Sequence, residues 1–193
     1  MASVSVKPTR IDTAIANEIA DRTNSGLEHT AQTLTWAADE HVLLALAAAA
    51  WLYTHIRQPQ QQPIANHVLA VSVATAVLPH VLKSVFDQIR PDRLTLRGHR
   101  HGIPISGQAR NAFPSGHAVH MGALASAAGL LPKTPRRLVR TVAVALSLTR
   151  IAVLAHWASD VVAGFALGAA VERLIRPWTL TRSRSGKDKL RTP

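Results

Sequence analysis

The chain has 193 residues, 47% of them hydrophobic and 17% charged, with 22 Lys and Arg against 11 Asp and Glu and a formal net charge of +11. That length suits one domain, and the apolar content excludes extensive disorder, which needs low hydrophobicity and high charge. The absence of cysteine excludes a disulfide framework, a thiolate zinc site and a cysteine nucleophile, and leaves the redox compartment open.

The first predicted element is an amphipathic helix within residues 11–35, where Ile11, Ile15 and Ile19 repeat at helical spacing while Asp12, Glu18, Asp21 and Arg22 take other faces. Two settings suit it, the membrane surface and the flank of its own protein. No charged n-region, apolar h-region and cleavage site are present, so no removable signal peptide is expected. Next, His41–Ile56 carries no formal charge, Gln58–Leu82 none over 25 residues and Asn111–Pro132 none over 22. Each can hold a helix near the roughly 20 residues that cross a bilayer. Spanning segments are expected at about 41–57, 65–83, 116–132, 137–153 and 156–175, with Gln58–Pro63 as a turn. Trp157 and Trp178 bracket the last segment as interfacial anchors would, and Gly164 and Gly168 form a small-residue packing step within it.

The overall mean hydropathy is only weakly positive, because residues 1–40, the polar loop 90–111 and the tail 179–193 dilute the Ala-, Val- and Leu-rich segments. A soluble helical bundle is the competing arrangement, since short apolar helices also build buried cores. The architecture expected is an all-α polytopic membrane helix bundle with about five spanning helices plus the N-terminal amphipathic helix. It forms a single domain over 1–193, with an interfacial segment 1–40, a helix core 41–176 that holds the site, and a basic tail 177–193.

The basic residues gather in Arg90–Arg110, Lys133–Arg140 and Arg173–Arg191, between long uncharged stretches. This pattern suits membrane loops, and aromatic residues at 4% offer little for bases to stack on, so nucleic acid is not an expected partner. Lys133, Arg136, Arg137 and Arg140 share one short connection, and seven Lys and Arg lie from Arg173 onward. Both regions, and the C-terminus, are therefore expected on the cytoplasmic side, of a bacterial inner membrane in the simplest case. Five spans agree with this and set the loop 84–115 on the periplasmic side. The basicity of that loop conflicts with the rule unless its arginines serve a ligand.

Ionisable residues at membrane depth mark function by default, and here they form three clusters. In the first, Lys83 and Arg90 stand seven apart, so they share one face if helical, and Pro91 should end that helix. Two cations there suit a phosphate, or else a snorkelling lysine and an interfacial arginine. In the second, Pro114 breaks the chain, Ser115 can cap a new helix, and Gly116 clears the backbone amides beside His117. A helix start of this kind is an anion site with an acid beside it, or a capped helix with an incidental histidine. In the third, Thr149-Arg150 precedes His156 and Asp160, four apart, so a carboxylate can orient an imidazole nucleophile or simply join two helices.

Taken together, the clusters have the order and spacing of one pattern: Lys-x6-Arg-Pro, then Pro-Ser-Gly-His, then Ser-Arg-x5-His-x3-Asp. The sequence resembles the type 2 phosphatidic acid phosphatase superfamily at Lys83, Arg90, Pro91, Pro114, Ser115, Gly116, His117, Arg150, His156 and Asp160, with Thr149 in place of the usual serine. The resemblance implies a helical bundle that works without metal or other cofactor through a phosphohistidine. His156 would attack phosphorus, Asp160 would orient it, and His117 would protonate the leaving group and then activate water. Lys83, Arg90, Arg150, Ser115 and the Gly116 amide would hold the phosphate oxygens.

The expected function is hydrolysis of a lipid phosphomonoester or diphosphate. Within the resembled family the substrates include phosphatidic acid, phosphatidylglycerol phosphate, undecaprenyl diphosphate and lipid A. The alternatives are a non-catalytic phospholipid-binding or transport protein, against which all three catalytic residues are present, and a vanadate-dependent haloperoxidase-like enzyme, which is soluble and larger. His99 and His101 read as an exposed loop pair rather than a zinc site, and His120 is given no chemistry. Asp87 and Asp92 are expected to pair with nearby arginines.

Overall fold

The computed structural model describes residues 4–22, 26, 30, 33–34, 39–94 and 110–181. These residues are mostly helical. The sequence begins with β1 (Val4–Ser5) and α1 (Arg10–Arg22), followed by α2 (Glu40–Arg57), α3 (Gln62–Val85), β2 (Phe86–Asp87) and the short α4 (Pro91–Leu94). After it come α5 (Gly116–Ala127), α6 (Lys133–Ala152) and α7 (Ala158–Arg176), which runs into a wide last turn at Pro177–Thr181. The five segments expected to span are all helices. Among the described residues the sheet is small, a two-residue parallel pairing of β1 with β2 in which Val4 faces Phe86 and Ser5 faces Asp87.

Local chemistry explains the boundaries. Asp39 starts α2 by accepting from the amides of His41 and Val42 at 2.9 and 3.3 Å. A turn at Pro59–Gln61 then reverses the chain into α3, whose first turn holds a proline where no amide is needed. Pro91 likewise opens α4, so the helix it was expected to end has already stopped at Val85. Lys83 and Arg90 consequently do not share a helix face. Lys83 sits in the last turn of α3, whereas Arg90 follows β2 outside any helix or strand.

Helix α5 is the centre of the molecule, with nine of its 12 residues buried. Its small side chains let α7 approach closely. A Cβ at Gly164 would stand 2.6 Å from the Ser115 carbonyl oxygen, one at Gly168 would collide with the Val119 carbonyl, and one at Gly122 with the Phe165 carbonyl. The core beside this contact holds Met121, Ala125 and Ala143, with Leu43, Leu146 and Phe165 against it. A second cluster joins Ala16 of α1 to Ala112, Leu154 and Trp157. Trp157 is 1% exposed and its indole donates to the Ile89 carbonyl at 2.8 Å, so it is an interior strut and not an interfacial anchor. Trp178 is 76% exposed.

Among the described residues one helix, Pro59–Val85, is long and apolar enough to cross a membrane. The other four core helices fall short for visible reasons. Helix α5 is about 18 Å long at 1.5 Å per residue, and α6 opens on Lys133, Arg136, Arg137 and Arg140. Outward faces are nonetheless apolar, with Leu46, Ile56, Val77, Leu138, Val162 and Leu174 all more than half exposed.

Candidate active site

The site is built where α6 hands over to α7. Helix α6 ends just past Arg150, and the chain turns through Leu154 at φ 53°, a left-handed conformation that costs about 1–2 kcal/mol in a residue with a Cβ. The turn is held because the amides of Ala155 and His156 both donate to the Arg150 carbonyl, at 3.1 and 3.2 Å, and because Leu154 is buried against Ala16, Ala112 and Trp157. It delivers His156, 3% exposed, ahead of α7 rather than on it.

His156 Nδ1 lies 2.7 Å from the Ala112 carbonyl and 3.9 Å from Asp160 Oδ2. A carbonyl can only accept, so Nδ1 carries the proton and Nε2 keeps its lone pair. The spacing of four had suggested a helical pairing of His156 with Asp160. Because α7 begins at Ala158, Asp160 instead turns back to accept from the Trp157 amide at 3.0 Å, and its contact with the imidazole is the longer one.

Asp160 is fully buried and has a partner that sequence reasoning missed. With its amide oriented to pair, Gln88 donates to Asp160 Oδ1 at 2.7 Å and to Oδ2 at 3.2 Å. Gln88 is 2% exposed and lies inside the Lys83 to Arg90 motif, but an uncharged amide at an unremarked motif position carries no signal of its own. Its carbonyl accepts from the Ala112 amide at 3.1 Å, which ties that segment to the one whose carbonyl holds His156.

The cations converge here although they come from three elements. Arg150, in the last turn of α6, and Arg90 are 7% and 9% exposed and lie within electrostatic range of each other. Lys83, Arg90 and Arg150 all lie within range of His156. Arg90 reaches the Ala155 carbonyl at 3.4 Å, while Nε of Arg150 is buried with no hydrogen-bond partner in the protein. Buried arginines set together are costly without an anion between them.

Ser115 and Gly116 meet the same cluster. Ser115 occupies the N-cap position of α5, but its hydroxyl makes no capping bond and is buried without a partner. The expected cap is therefore absent, and the hydroxyl stays available to a ligand. The Ser115 amide donates to the Asp160 carbonyl at 3.3 Å, which pins the start of α5 to the first turn of α7. A Cβ at Gly116 would meet only Pro79 at an ordinary 3.7 Å, so packing alone does not require glycine there. The Thr149 hydroxyl, by contrast, donates to the Leu146 carbonyl at 2.7 Å, inside its own helix.

His117 stands one position inside α5, within electrostatic range of Arg150, Lys83, His120 and Asp39. Asp39 is the second residue sequence reasoning missed, because its sequence position lies far from every motif. Burial would raise its pKa, but the amides of Val42 and His41 outweigh burial and hold the carboxyl below its ordinary value. His120 binds the Thr75 hydroxyl at 2.9 Å, and Asp87 pairs with Arg110 at 2.7 Å as expected. Among the described residues no group of three or more His, Asp or Glu is placed to hold a metal ion, and His99 and His101 lie outside those residues.

The model of the PAP2 superfamily matches residues 64–184. The chain belongs to the PAP2 superfamily. The matched PAP2 region covers every motif residue named above and leaves α1 and α2 outside it. Two curated relatives are each named lipid A 1-phosphatase. The one from Rhizobium etli is 38% identical over 108 residues, which is 54% of this chain and 46% of the relative. The one from Rhizobium johnstonii is 38% identical over 109 residues, 55% and 44%. This PAP2 chain thus spans under half the length of the curated relatives it matches. Its fold is similar to that of LpxE from Aquifex aeolicus, with a TM-score of 0.69 and 19% identity over 89% of this chain and 98% of the other. It is also similar to a transmembrane PAP2 type phosphatidylglycerolphosphate phosphatase from Bacillus subtilis, with a TM-score of 0.59 and 19% identity over 87% and 84%.

Proposed function

We propose that this PAP2 chain is an integral membrane lipid phosphatase that hydrolyses a lipid phosphomonoester or diphosphate through a phosphohistidine, without a metal. The observation that carries the reading is His156. Its Nδ1 is committed to a backbone carbonyl, and its Nε2 is left free within reach of three cations. In the first step the Nε2 lone pair attacks phosphorus, the phosphorus–oxygen bond to the lipid breaks, and the leaving oxygen takes a proton from His117. In the second, water attacks the phosphohistidine and gives a proton to His117, the phosphorus–nitrogen bond breaks, and inorganic phosphate departs. Asp160 and the Ala112 carbonyl stabilise the imidazolium, while Lys83, Arg90, Arg150, the Ser115 hydroxyl and the Gly116 amide bind the oxygens on which charge develops.

In this reading the core helices α2, α3, α5, α6 and α7 lie together in a bacterial inner membrane, with the site toward the periplasm and the C-terminus toward the cytoplasm. An apolar groove between α2, α3 and α5, lined by Leu43, Leu46, Val71, Met121 and Leu124, supports a substrate whose tails stay in lipid. The names of the curated relatives make a lipid A 1-phosphate a substrate to test beside phosphatidic acid, phosphatidylglycerol phosphate and an isoprenoid diphosphate.

The test is phosphate release by the purified protein in detergent and EDTA, wild type against His156→Ala. Release from at least one lipid, lost by roughly 1,000-fold or more in the variant, is the expected result. Folded wild type that releases phosphate from none of the four, or activity that EDTA abolishes and Mg²⁺ restores, overturns the reading.

A further inference from the structure

The N-terminal segment lies outside the matched family region, yet it touches the site from two directions. Strand β1 pairs with β2, and the Val6 amide donates to the Asp87 carbonyl at 2.9 Å, so the backbone is tied down one residue before Gln88, the partner of Asp160. Helix α1 packs Ala16, with Ile19 and Ala20 beside it, onto Ala112, Leu154 and Trp157, the residue whose carbonyl holds His156 and two that flank it.

Between these contacts stands Asp12, 2% exposed. Thr9 and Asp12 form a capping arrangement for α1: the Thr9 amide and hydroxyl donate to Asp12 Oδ2 at 2.9 and 2.8 Å, and the Asp12 amide donates to the Thr9 hydroxyl at 3.1 Å. The same carboxylate serves a second helix 147 residues away. The Ser159 amide donates to Oδ1 and the Ser159 hydroxyl to Oδ2, both at 2.8 Å. Helix α7 needs this help, because its N-cap residue is Trp157, which has no side-chain acceptor for the first amides. Four donors on one carboxylate outweigh its burial and hold Asp12 ionised below its ordinary pKa.

We infer that Asp12 is a positioning residue for the His156–Asp160 pair, and that residues 4–22 form a clamp that belongs to the catalytic unit. Asp12 touches no reacting atom. It fixes the first turn of α7, so that Asp160, the residue after Ser159, meets Gln88 and the Trp157 amide, and His156 keeps its Ala112 contact. The inference rests on the phosphatase reading, and its test separates the two.

Asp12→Ala, Asp12→Asn and Ser159→Ala are made in the full chain and assayed in detergent with dioctanoyl phosphatidic acid and any lipid that wild type hydrolyses. Saturating vanadate counts the folded, competent sites, and its dissociation constant reads the position of His156 Nε2 without turnover. A clamp predicts that kcat per vanadate-binding site falls roughly 10- to 100-fold in Asp12→Ala, with KM within about twofold of wild type. It predicts vanadate affinity weakened about tenfold, an intermediate loss in Asp12→Asn, a smaller one in Ser159→Ala, and losses in the Asp12→Asn/Ser159→Ala double variant that are less than multiplicative. Unchanged kcat per site with unchanged vanadate affinity overturns the inference, as does a loss of activity fully accounted for by fewer vanadate-binding sites. Wild type that hydrolyses no lipid overturns the phosphatase reading instead, and the vanadate comparison still decides the clamp.

Discussion

At the scale of single residues, the proposed chemistry depends on which atom of His156 is occupied. Its Nδ1 is held by Ala112 through a backbone oxygen, so no side-chain type at position 112 announces the role. Gln88 is more testable. Its one side-chain amide donates to both carboxylate oxygens of Asp160. A hydrogen bond to a charged group contributes about 1.5–3 kcal/mol. Gln88→Leu is therefore expected to lower kcat roughly tenfold or more while leaving KM near wild type, because the substrate's own contacts are untouched. Steady-state phosphate release measures both, and an unchanged kcat would remove Gln88 from the positioning of Asp160. The motif residues were legible because charge is rare in apolar segments and its spacing stands out. Gln88, Asp39 and Asp12 were not, since their partners are set by contacts across the fold. For Asp12 there was a faint signal, the Thr9-x-x-Asp12 capping pattern, but it points only to α1.

At the scale of elements, the decisive contact is α5 on α7. Gly164 and Gly168, one turn apart, are the small-residue step noticed in the sequence, and Gly122 answers them from α5. A Cβ at Gly168 would collide with backbone, which cannot rotate out of the way. Alanine normally improves a helix by about 1 kcal/mol over glycine. Here overpacking of about 1–3 kcal/mol or more opposes that gain. Gly168→Ala should lower the unfolding midpoint in detergent, whereas Gly129→Ala, whose Cβ would meet only guanidinium nitrogens at 3.7–3.9 Å, should leave it near wild type. Equal midpoints would show that α5 and α7 can separate at little cost. The far ends of these helices are joined by a network the charge pattern did not expose. Glu172, fully buried, accepts from the Ser126 hydroxyl at 2.6 Å and from Arg176 at 2.8 Å, and meets His67 at 2.9 Å. Glu172 and Arg176 sit one turn apart in α7, but His67 and Ser126 come from α3 and α5 and only the fold brings them there.

At the scale of the whole molecule, five core helices place Val4 and Thr181, the first and last described residues, at opposite ends of the bundle. Strand β1 is fastened beside the site, and α7 leaves the site and carries the chain away from it over 19 residues, about 28 Å, as far as Arg176. The basic start of α6, Lys133–Arg140, lies at the same far end as Arg176, and the Arg140 and Arg176 guanidiniums both lie beside Gly129. A reporter fused after Pro193 is thus expected to be active only as a cytoplasmic fusion, and one inserted within residues 95–109 only as a periplasmic one. A periplasmic C-terminus would invert the proposed orientation. The conflict raised by basic residues in the loop 84–115 eases at two positions, because Arg90 is buried in the site and Arg110 is paired with Asp87.

The sequence by itself determined the helical segments, the family pattern and the identity of the cationic and histidine residues, because apolar run length and the rarity of charge within it are local properties of the chain. Tertiary structure alone decided how those residues are arranged. It ended α3 at Val85, so that Lys83 and Arg90 come within range of His156 from either side of a strand and not along one helix, and it began α7 at Ala158, so that a carbonyl from residue 112 takes the place expected of Asp160. It also turned an amphipathic N-terminal helix into a clamp on the site by giving the Asp12 carboxylate two helix starts to serve at once. The physical reason is common to all three. A buried donor or acceptor must find a partner somewhere, and which partner it finds is settled by how the helices pack.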